Sequence, residues 1–371
     1  MERWKDEKME SIGVGVIVFG NGGEIFSKFS GVSSVKKNKP VTRETRFRAA
    51  SVSKLFVIFT IMQLAERGKI NLYADAGEYL GFKIGATVAD LANHTSGLRD
   101  GKIYSIPPEI SVAEFFTPDG RFYENGAHFG ERNFFYSNLN YGLLGTIIEA
   151  VTGARFDIYQ RENILAELDI RADYVVGNLG AAEFENLGAI YLNGKATDEF
   201  EIQPERETVA LQNPYAEDFA GVYDLKNYRA GTNATIFSPQ GGLRISFEEL
   251  CHALEMLMHG GKFRGRRILR AESVAEIFRS RWIYDGTNGD TCGGEMLNYG
   301  LGSYRIAGGF AGHAGEAFGV LSGIFFKGAS GFVYMLNGED FALENSIRDT
   351  ARKIISANRF SQFRSRGGGE P

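Results

Sequence analysis

A strongly apolar run, headed by a serine and a lysine three residues apart, is the feature that most constrains this chain. Between Ser51 and Arg67 most positions are large aliphatic or aromatic residues, and the run stops at Gly68. An apolar stripe this wide predicts a helix that is buried on most of its sides, with Gly68 as its C-terminal stop. On such a helix Ser51 and Lys54 lie one turn apart on the same face, close enough for the amine to touch the hydroxyl.

This spacing suits nucleophilic catalysis. A serine hydroxyl is a weak nucleophile until a neighbour takes its proton, and a lysine can do so when burial lowers its pKa. A helix that begins at Ser51 also directs free N–H groups and its positive dipole end toward a developing oxyanion. The pattern alone is not specific, because it recurs at residues 33–36 and 34–37 in a lysine-rich connection. Only Ser51 heads an apolar run, so it is the candidate nucleophile.

Two further motifs carry side chains suited to the same chemistry. In the run from Tyr136 to Asn138, a phenol beside an ammonium could relay protons, and an amide could orient both the lysine and a substrate carbonyl. The run from His313 to Gly315 lies at the opening of a strand-like stretch that starts at Phe318. There, a donor side chain followed by glycine would line the cleft opposite the helix. Similar tripeptides occur at 123–125, 191–193, 128–130 and 259–261, so context must decide.

The order of the predicted elements indicates one sheet assembled from both ends of the chain. β-Branched and aromatic residues predict strands, the first two of which form a hairpin around a Gly- and Asn-rich turn. The strand-like runs are residues 12–19, 24–29, 301–306, 318–326 and 332–336. A capping box of Ser246 and Glu249 predicts a helix to about His259, and helical spacing predicts a closing helix over 344–357.

We therefore predict an α/β (α+β) protein in two parts. Residues 1–75 and 236–371 would form a discontinuous sheet domain. Residues 76–235, with short helical patterns separated by Gly, Pro and Asn, would form a mainly helical subdomain, and the active site would lie in the cleft between the two. Sequential antiparallel strands, rather than alternating β-α-β units, argue against a doubly wound nucleotide fold.

Composition and net charge limit the classes of partner expected for this chain. The 371 residues are 43% hydrophobic and carry a net charge of -5, so neither nucleic acid nor an anionic membrane is an expected partner, and a small-molecule or short peptide substrate is. The N-terminus shows no signal-peptide pattern and no run approaches the ~18 apolar residues of a spanning helix, which predicts a cytoplasmic protein. Cys251 and Cys292 are expected to be free thiols, and no motif calls for a metal or another cofactor.

At these motifs the chain resembles the serine β-lactamases and penicillin-recognising DD-peptidases, and within them the class C-like esterases, amidases and D-aminopeptidases. Besides the S-x-x-K element and its partners, the runs at 91–98, 136–153 and 238–243 look like family landmarks, in family order. The resemblance extends from roughly Gly13 to Ala357. It implies the β-lactamase/DD-peptidase fold, an antiparallel sheet flanked by helices with a mainly helical subdomain.

The resemblance also implies roles for the motif residues. Ser51 would be the acylated nucleophile, Lys54 its partner and Tyr136 the general base. Asn138 would position the substrate. His94, in the first landmark, is expected to hold a loop through hydrogen bonds rather than to take part in catalysis.

The third motif would complete the site. His313 stands where many relatives carry lysine, and the histidine form is the one seen in esterase and aminopeptidase-like branches. The oxyanion hole would consist of the backbone N–H groups of Ser51 and of Glu316, the residue after Gly315. An acidic side chain at Glu316 would repel a substrate carboxylate by about 1 kcal/mol, which favours a substrate that is neutral or carries an amine. If Glu316 points to solvent, it selects nothing.

Together these inferences predict a serine hydrolase that forms an acyl-enzyme on Ser51 and cleaves an amide, an ester or a D-amino-acid-containing peptide bond. One alternative is an acyltransferase of secondary metabolism that uses the same acyl-enzyme. A second alternative is a catalytically silent homologue that serves as a binding protein.

Overall fold

A computed structural model describes residues 12–101, 104–116, 132–211 and 221–365, with side chains as far as residue 357. In these residues the chain is a mixed α/β protein built around a seven-stranded antiparallel sheet. The expected fold class is confirmed. No helix in the described ranges is both long and apolar enough to span a bilayer.

The α-helices of the described chain begin at Ser53, after the first four strands, and the last one reaches Ser365. Their bounds are α1 Ser53–Glu66, α2 Gly77–Leu80, α3 Val88–Ala92, α4 Val112–Phe115, α5 Asn138–Thr152, α6 Phe156–Gln160, α7 Ala181–Glu185, α8 Phe247–Met258, α9 Ala271–Ile277 and α10 Phe341–Ser365.

Strands fall mainly near the two ends of the chain, with short hairpins between. Their bounds are β1 Gly13–Gly20, β2 Gly23–Ser34, β3 Lys39–Pro40, β4 Arg46–Arg48, β5 Ile190–Leu192, β6 Lys195–Asp198, β7 Thr208–Leu211, β8 Gly221–Asp224, β9 Arg244–Ser246, β10 Lys262–Phe263, β11 Arg266–Arg267, β12 Trp282–Ile283, β13 Asn298–Tyr299, β14 Tyr304–Arg305, β15 Ala311–Ala317, β16 Val320–Lys327 and β17 Ser330–Asn337.

The main sheet joins the two ends of the chain. Its strand order is β14-β15-β16-β17-β1-β2-β3, and β1 pairs with β17 from Gly13 opposite Asn337 to Phe19 opposite Gly331. Strand β1 is rich in valine and isoleucine and is buried along nearly its whole length, as expected of a central strand covered on both faces. The sheet is therefore a rigid frame, and β15, its second strand, can carry residues of a site.

Helix α1 lies in the middle of the core. All of its residues from Ser53 to Leu64 are buried, including the polar Lys54, because its apolar residues encircle the helix instead of forming one stripe. It begins two residues later than predicted, since residues Ala50–Val52 form a separate 3₁₀ turn that carries Ser51. The helix ends before Gly68, whose φ of 69° is the left-handed conformation of a helix stop.

The third motif lies on a strand of its own, which corrects the prediction that it opens the stretch from Phe318. Strand β15 contains His313 and pairs with β16, and a tight turn at Phe318 and Gly319 joins the two. Phe318 takes a φ of 56° in this turn. The strand was missed because its sequence, AGHAGEA, holds small and polar residues and no β-branched residue.

Residues 76–235 contain helices α2 to α7 and, in addition, the hairpins β5–β6 and β7–β8. Helix α5, the longest of these helices, is buried over most of its length and packs against α1. The division into a sheet domain and a helical subdomain stays a prediction.

Candidate active site

The turn that carries Ser51 is fixed from two sides. Ala50 has a φ of 45°, which is unusual for a residue with a Cβ and is kept only where surrounding contacts enforce it. The N–H of Ala49 donates to Leu243 O at 2.8 Å, and the Ser322 hydroxyl donates to Ala49 O at 2.6 Å. Ser51 is half-buried. It lies in a strained turn that these two hydrogen bonds of Ala49 hold in place.

Lys54 is completely buried, and its amine contacts three oxygens. Its Nζ donates to Ser51 Oγ at 3.0 Å, to Asn138 Oδ1 at 2.8 Å and to Gln240 O at 3.0 Å. Burial lowers the pKa of Lys54 to about 7, although the charge of Asp100 acts in the opposite direction. Near neutral pH a large fraction of this amine is therefore uncharged and able to accept a proton from Ser51.

Asp100 fixes the orientation of the Asn138 amide. Asn138 Nδ2 donates to Asp100 Oδ2 at 2.8 Å, which leaves Asn138 Oδ1 facing Lys54. The same carboxylate accepts from the backbone N–H groups of Asn138 at 2.7 Å and Leu139 at 3.0 Å, at the start of α5. A carboxylate is favourable there because the N-terminal N–H groups lack partners within the helix.

Tyr136 lies against the amine. The centroid of its ring is 4.8 Å from Lys54 Nζ. The phenol of Tyr136 forms a hydrogen bond with the Ser51 side chain. Burial raises the pKa of Tyr136 well above its usual value, with the Ser51 hydrogen bond acting against that rise. The phenol is therefore protonated at neutral pH and can donate a proton more readily than it can accept one.

His94 joins two loops next to this tyrosine. It is fully buried, its ring centroid lies 4.3 Å from that of Tyr136, and its Nδ1 accepts the N–H of Ser137 at 3.1 Å. Burial and the nearby Lys54 charge hold the pKa of His94 well below its usual value, so the ring is neutral. These contacts hold the loop in place, which is the role that the sequence suggested for His94.

His313 is also fully buried, with both ring nitrogens engaged. Its Nε2 accepts the hydroxyl of Tyr299 at 2.8 Å, and its Nδ1 contacts Ala314 O. Burial and the charge of Lys54 lower the pKa of His313 to about 3, so this ring is neutral too. Its centroid lies 6.2 Å from that of Tyr136, which places the third motif beside the second.

Gly315 allows β15 to approach the nucleophile turn. A Cβ at this position would lie 2.7 Å from Ser51 N and 2.7 Å from Ala49 O, closer than real Cβ contacts occur. Strand β14 pairs only with Ala311 and Gly312, so the rest of the β15 edge runs beside the turn. The close approach explains the glycine and brings Ser51 N beside the strand that carries Glu316 N.

The Glu316 side chain lies on the face of β15 opposite to that of Gly315, because successive side chains of a strand alternate between its faces. The Glu316 side chain is exposed and shares a hydrogen bond with the Glu339 side chain. The carboxylates of Glu344 and Glu295 are also close enough to affect its pKa. Partial burial and the neighbouring carboxylates raise the pKa of Glu316 to about 7. Its backbone therefore lies near Ser51 while its side chain joins an acidic cluster. Selection of substrate charge by Glu316 stays a prediction.

The site residues that sequence reasoning missed act by supporting the others. Asp100, Gln240, Tyr299 and Ser322 each hold a predicted residue or the turn before it, through the hydrogen bonds described above. None of them belongs to a catalytic motif, and Gln240 acts through its backbone carbonyl. A signal existed only for Gln240, which lies in the landmark run at 238–243.

The remaining expectations concern metals and thiols. Cys251 is buried and Cys292 is half-buried, and both are free thiols as expected. Within the ranges that the structure describes, no group of three or more His, Cys, Asp or Glu side chains could hold a metal ion.

The fold is the one that penicillin-binding proteins and β-lactamases share. The octameric penicillin-binding protein homologue from Pyrococcus abyssi has a similar structure, with a TM-score of 0.63, 22% identity, and coverage of 89% of this chain and 70% of that one. SurE, whose crystal structure was determined with D-Leu, gives a TM-score of 0.65 at 20% identity, covering 93% of this chain and 71% of SurE. The model of the Beta-lactamase family matches residues 1–356, and the chain belongs to this family.

Relatives found by sequence match a smaller share of the chain than these structures do. The chain is 25% identical to the N-acetylmuramyl-L-alanine amidase of Bacillus subtilis over 282 residues, which cover 70% of this chain and 60% of the amidase. It is 27% identical to protein flp of Staphylococcus aureus over 167 residues, covering 40% of this chain and 31% of flp. Penicillin-binding protein 4* of Bacillus subtilis gives 27% over 161 residues, covering 40% and 35%. The chain thus spans less than two thirds of the length of each.

Proposed function

We propose that this protein is a serine hydrolase that forms an acyl-enzyme on Ser51 and cleaves an amide, an ester or a D-amino-acid-containing peptide bond. One observation carries the proposal: a fully buried Lys54 whose Nζ lies 3.0 Å from Ser51 Oγ and whose pKa falls to about 7. Membership of the Beta-lactamase family supports it.

In the acylation step, the uncharged amine of Lys54 takes the proton of Ser51 as Oγ attacks the substrate carbonyl carbon. The carbonyl oxygen becomes an oxyanion, which accepts hydrogen bonds from the backbone N–H groups of Ser51 and Glu316. The close approach of Gly315 to Ser51 N supports this oxyanion hole. Asn138, oriented by Asp100, holds the amine and offers its amide to the substrate.

Tyr136 then delivers a proton to the leaving group. Because burial keeps its phenol protonated, we assign the first proton transfer to Lys54 and a donor role to Tyr136, which recovers its proton from the Lys54 ammonium. In deacylation, water takes the place of the leaving group and the same groups act in reverse. This assignment differs from the general-base role that the family resemblance suggested for Tyr136, and that role stays a prediction.

The substrate is a small molecule or a short peptide. The names of two similar proteins favour an amide or a D-amino acid: the amidase of Bacillus subtilis, and SurE with D-Leu. The acidic cluster around Glu316 favours a neutral or amine-bearing substrate over a carboxylate placed near that cluster. We also propose a cytoplasmic location, without nucleic-acid or membrane partners.

The substrate would bind in a cleft between the two predicted parts of the chain. Ser51, Lys54 and His313 come from residues 1–75 and 236–371. Tyr136 and Asn138 come from residues 76–235, and the Lys54–Asn138 hydrogen bond of 2.8 Å joins the two sets. A cleft between two parts is a common location for an active site.

Intact-mass spectrometry after incubation with a fluorophosphonate or a β-lactam tests the proposal. We expect one covalent adduct per wild-type chain, none on Ser51→Ala, and an unchanged adduct on Ser34→Ala, the matched control in a repeated S-x-x-K pattern. An adduct that persists in Ser51→Ala would contradict the assignment. No adduct with any probe would favour the catalytically silent homologue. Product analysis with alcohols or amines present separates hydrolysis from acyl transfer.

A further inference from the structure

A cavity of about 190 Å³ lies beside the candidate active site and is lined by two arginines. Arg48 ends β4, three residues before Ser51, and Arg244 begins β9. The turn at residues 238–242 contributes to its wall, and strand β7 forms another part. We refer to this space as the arginine cavity.

The two guanidinium groups share one carboxylate. Arg244 Nη2 donates to Asp198 Oδ2 at 2.5 Å, whereas Arg48 Nη1 is 4.0 Å from the same oxygen, beyond hydrogen-bonding distance. Arg48 bonds instead to neutral groups, Gly241 O at 2.9 Å and Ser238 Oγ at 3.1 Å. The side chains of Arg48 and Arg244 are only 11% and 8% exposed. No acidic side chain is among the described residues that line the cavity, so it carries an excess of positive charge.

A buried hydroxyl on the wall of the cavity lacks a hydrogen-bond partner in the part of the chain that the structure describes. Tyr174 is 3% exposed and lines the cavity, and its Oη has no hydrogen-bond partner in the described residues. Buried hydroxyls are nearly always paired, since an unpaired one has lost its hydrogen bonds to water without replacement, which is a free-energy cost. A ligand that accepts a hydrogen bond would remove this cost, and an anion would at the same time balance the arginines.

Most of the remaining wall is apolar, and the space is small. The apolar lining includes Phe200, Val209, Leu211, Phe237 and Phe318. In liquid water, a volume of 190 Å³ would hold about six molecules. Pockets for drug-sized ligands are larger, at about 300–1,000 Å³. It suits one ring or a short chain that ends in an anionic group.

We propose that the arginine cavity binds the carboxylate of a small ligand with an apolar body, held by Arg48, Arg244 and Tyr174. The wall of the cavity is continuous with the active site. Gly241 lies close to Ala50, since a Cβ added at Gly241 would be 3.6 Å from the carbonyl carbon of Ala50. The adjacent Gln240 O accepts from Lys54 at 3.0 Å. The ligand is therefore either the acyl part of the substrate, which rests on the proposed function, or a separate effector.

Calorimetric titration with phenylacetate and with its neutral analogue phenylacetamide tests the binding site. The titrations use the full chain carrying Ser51→Ala, so the result does not depend on turnover. We expect phenylacetate to bind at least about tenfold more tightly than phenylacetamide, because hydrogen bonds to a charged group are stronger than those between neutral groups. Equal binding of the two probes, or no binding at millimolar concentration, would overturn the proposal.

Two variants locate the site. Arg48→Gln should weaken phenylacetate binding about tenfold or more and leave phenylacetamide unchanged. Tyr174→Phe removes an unpaired hydroxyl and should weaken phenylacetate binding by a factor of about 3 to 10 without loss of stability. Arg266→Gln, an exposed arginine paired with Asp169, is the matched control and should bind as well as the parent chain. Unchanged phenylacetate affinity in both cavity variants contradicts the assignment.

Kinetics on the otherwise wild-type chain separate the two sources of the carboxylate. If the cavity holds the acyl part of the substrate, phenylacetate inhibits competitively, and Arg48→Gln lowers kcat/KM for an ester with a carboxylate in its acyl chain more than for the neutral methyl-ester analogue. If the ligand is an effector, phenylacetate changes turnover of the neutral ester without competing with it. Failure of the proposed function would remove turnover altogether and leave the calorimetric result unaffected.

Discussion

Three lysines of this chain follow a serine by three residues, and two of them, Lys36 and Lys54, lie in opposite surroundings. Lys36 is in the turn after β2 with its side chain 59% exposed, and it pairs with Glu201. Lys54 is in α1 with no exposure and contacts only neutral oxygens through its amine. The pKa of Lys36 is raised by the hydrogen bond from its amine to Glu201, whereas burial lowers the pKa of Lys54 to about 7.

The serines differ in the same way. Ser33 Oγ donates to Lys39 O at 3.1 Å and Ser34 Oγ donates to Glu199 at 2.8 Å, so both hydroxyl protons are committed to oxygens. Ser51 has the Lys54 amine at 3.0 Å. The spacing is thus equally present at both places, and burial of the amine decides whether it can act as a base.

Removal of the two amines should give the largest difference between the sites. We expect Lys54→Met to slow acylation by a fluorophosphonate about 10³-fold, because a positioned base contributes about 10²–10⁴. Lys36→Met should react at the wild-type rate. The measurement is the rate of adduct formation by mass spectrometry, with circular dichroism to establish that both variants fold. A Lys54→Met variant that acylates at the wild-type rate would refute the role of the amine.

A methyl group at Gly315 tests whether the strand edge must touch the nucleophile turn. Gly315→Ala places a Cβ 2.7 Å from Ser51 N, so the turn or the strand must shift. We expect about a 10²-fold slower acylation, since a displacement near 1 Å at reacting groups costs about that factor. Gly23→Ala, where a Cβ meets nothing within 4 Å, is the control. Equal rates in the two variants would remove Gly315 and the oxyanion hole beside it from the mechanism.

The orientation of Asn138 should have a smaller effect. Asp100→Asn removes one of the acceptor oxygens that hold the Asn138 amide and the start of α5, so we expect acylation about tenfold slower and a loss of about 0.5–2 kcal/mol of stability. Asp75→Asn is the control: Asp75 also accepts two backbone N–H groups, at 2.7 and 2.9 Å, but lies outside the Lys54 network. If both variants lose stability and neither loses rate, Asp100 only caps the helix.

How far the sequence predicts this molecule depends on the range of each interaction. The first hairpin, α1 and the capping box of Ser246 with Glu249 were readable because turn residues, apolar spacing and capping act between neighbours in the chain. The pairing of β1 with β17 joins residues more than three hundred positions apart. Element order indicated only that both ends of the chain share one sheet. Strand β15 was not recognised, since its residues are small and the neighbouring strand determines its conformation.

The candidate site divides in the same manner. Ser51, Lys54, Tyr136, Asn138 and His313 carry motif signals, and the structure brings all five together. The supporting residues, such as Asp100 and Ser322, contact the motifs across 38 and 273 positions of the chain, respectively, and only the fold places them there. The direction of the Glu316 side chain likewise depended on which face of β15 meets the turn.

The pH dependence of acylation gives the smallest and most specific difference between the two lysines. Below the pKa of Lys54, about 7, the amine is an ammonium and cannot take the serine proton, so the rate should fall about tenfold per pH unit on the acid side and level off above it. The charge of Asp100 raises the pKa of Lys54, and therefore Asp100→Asn should move this acid limb to lower pH. Lys36→Met should leave the limb in place. An acid limb that does not move in Asp100→Asn would mean that a group other than Lys54 titrates in the reaction.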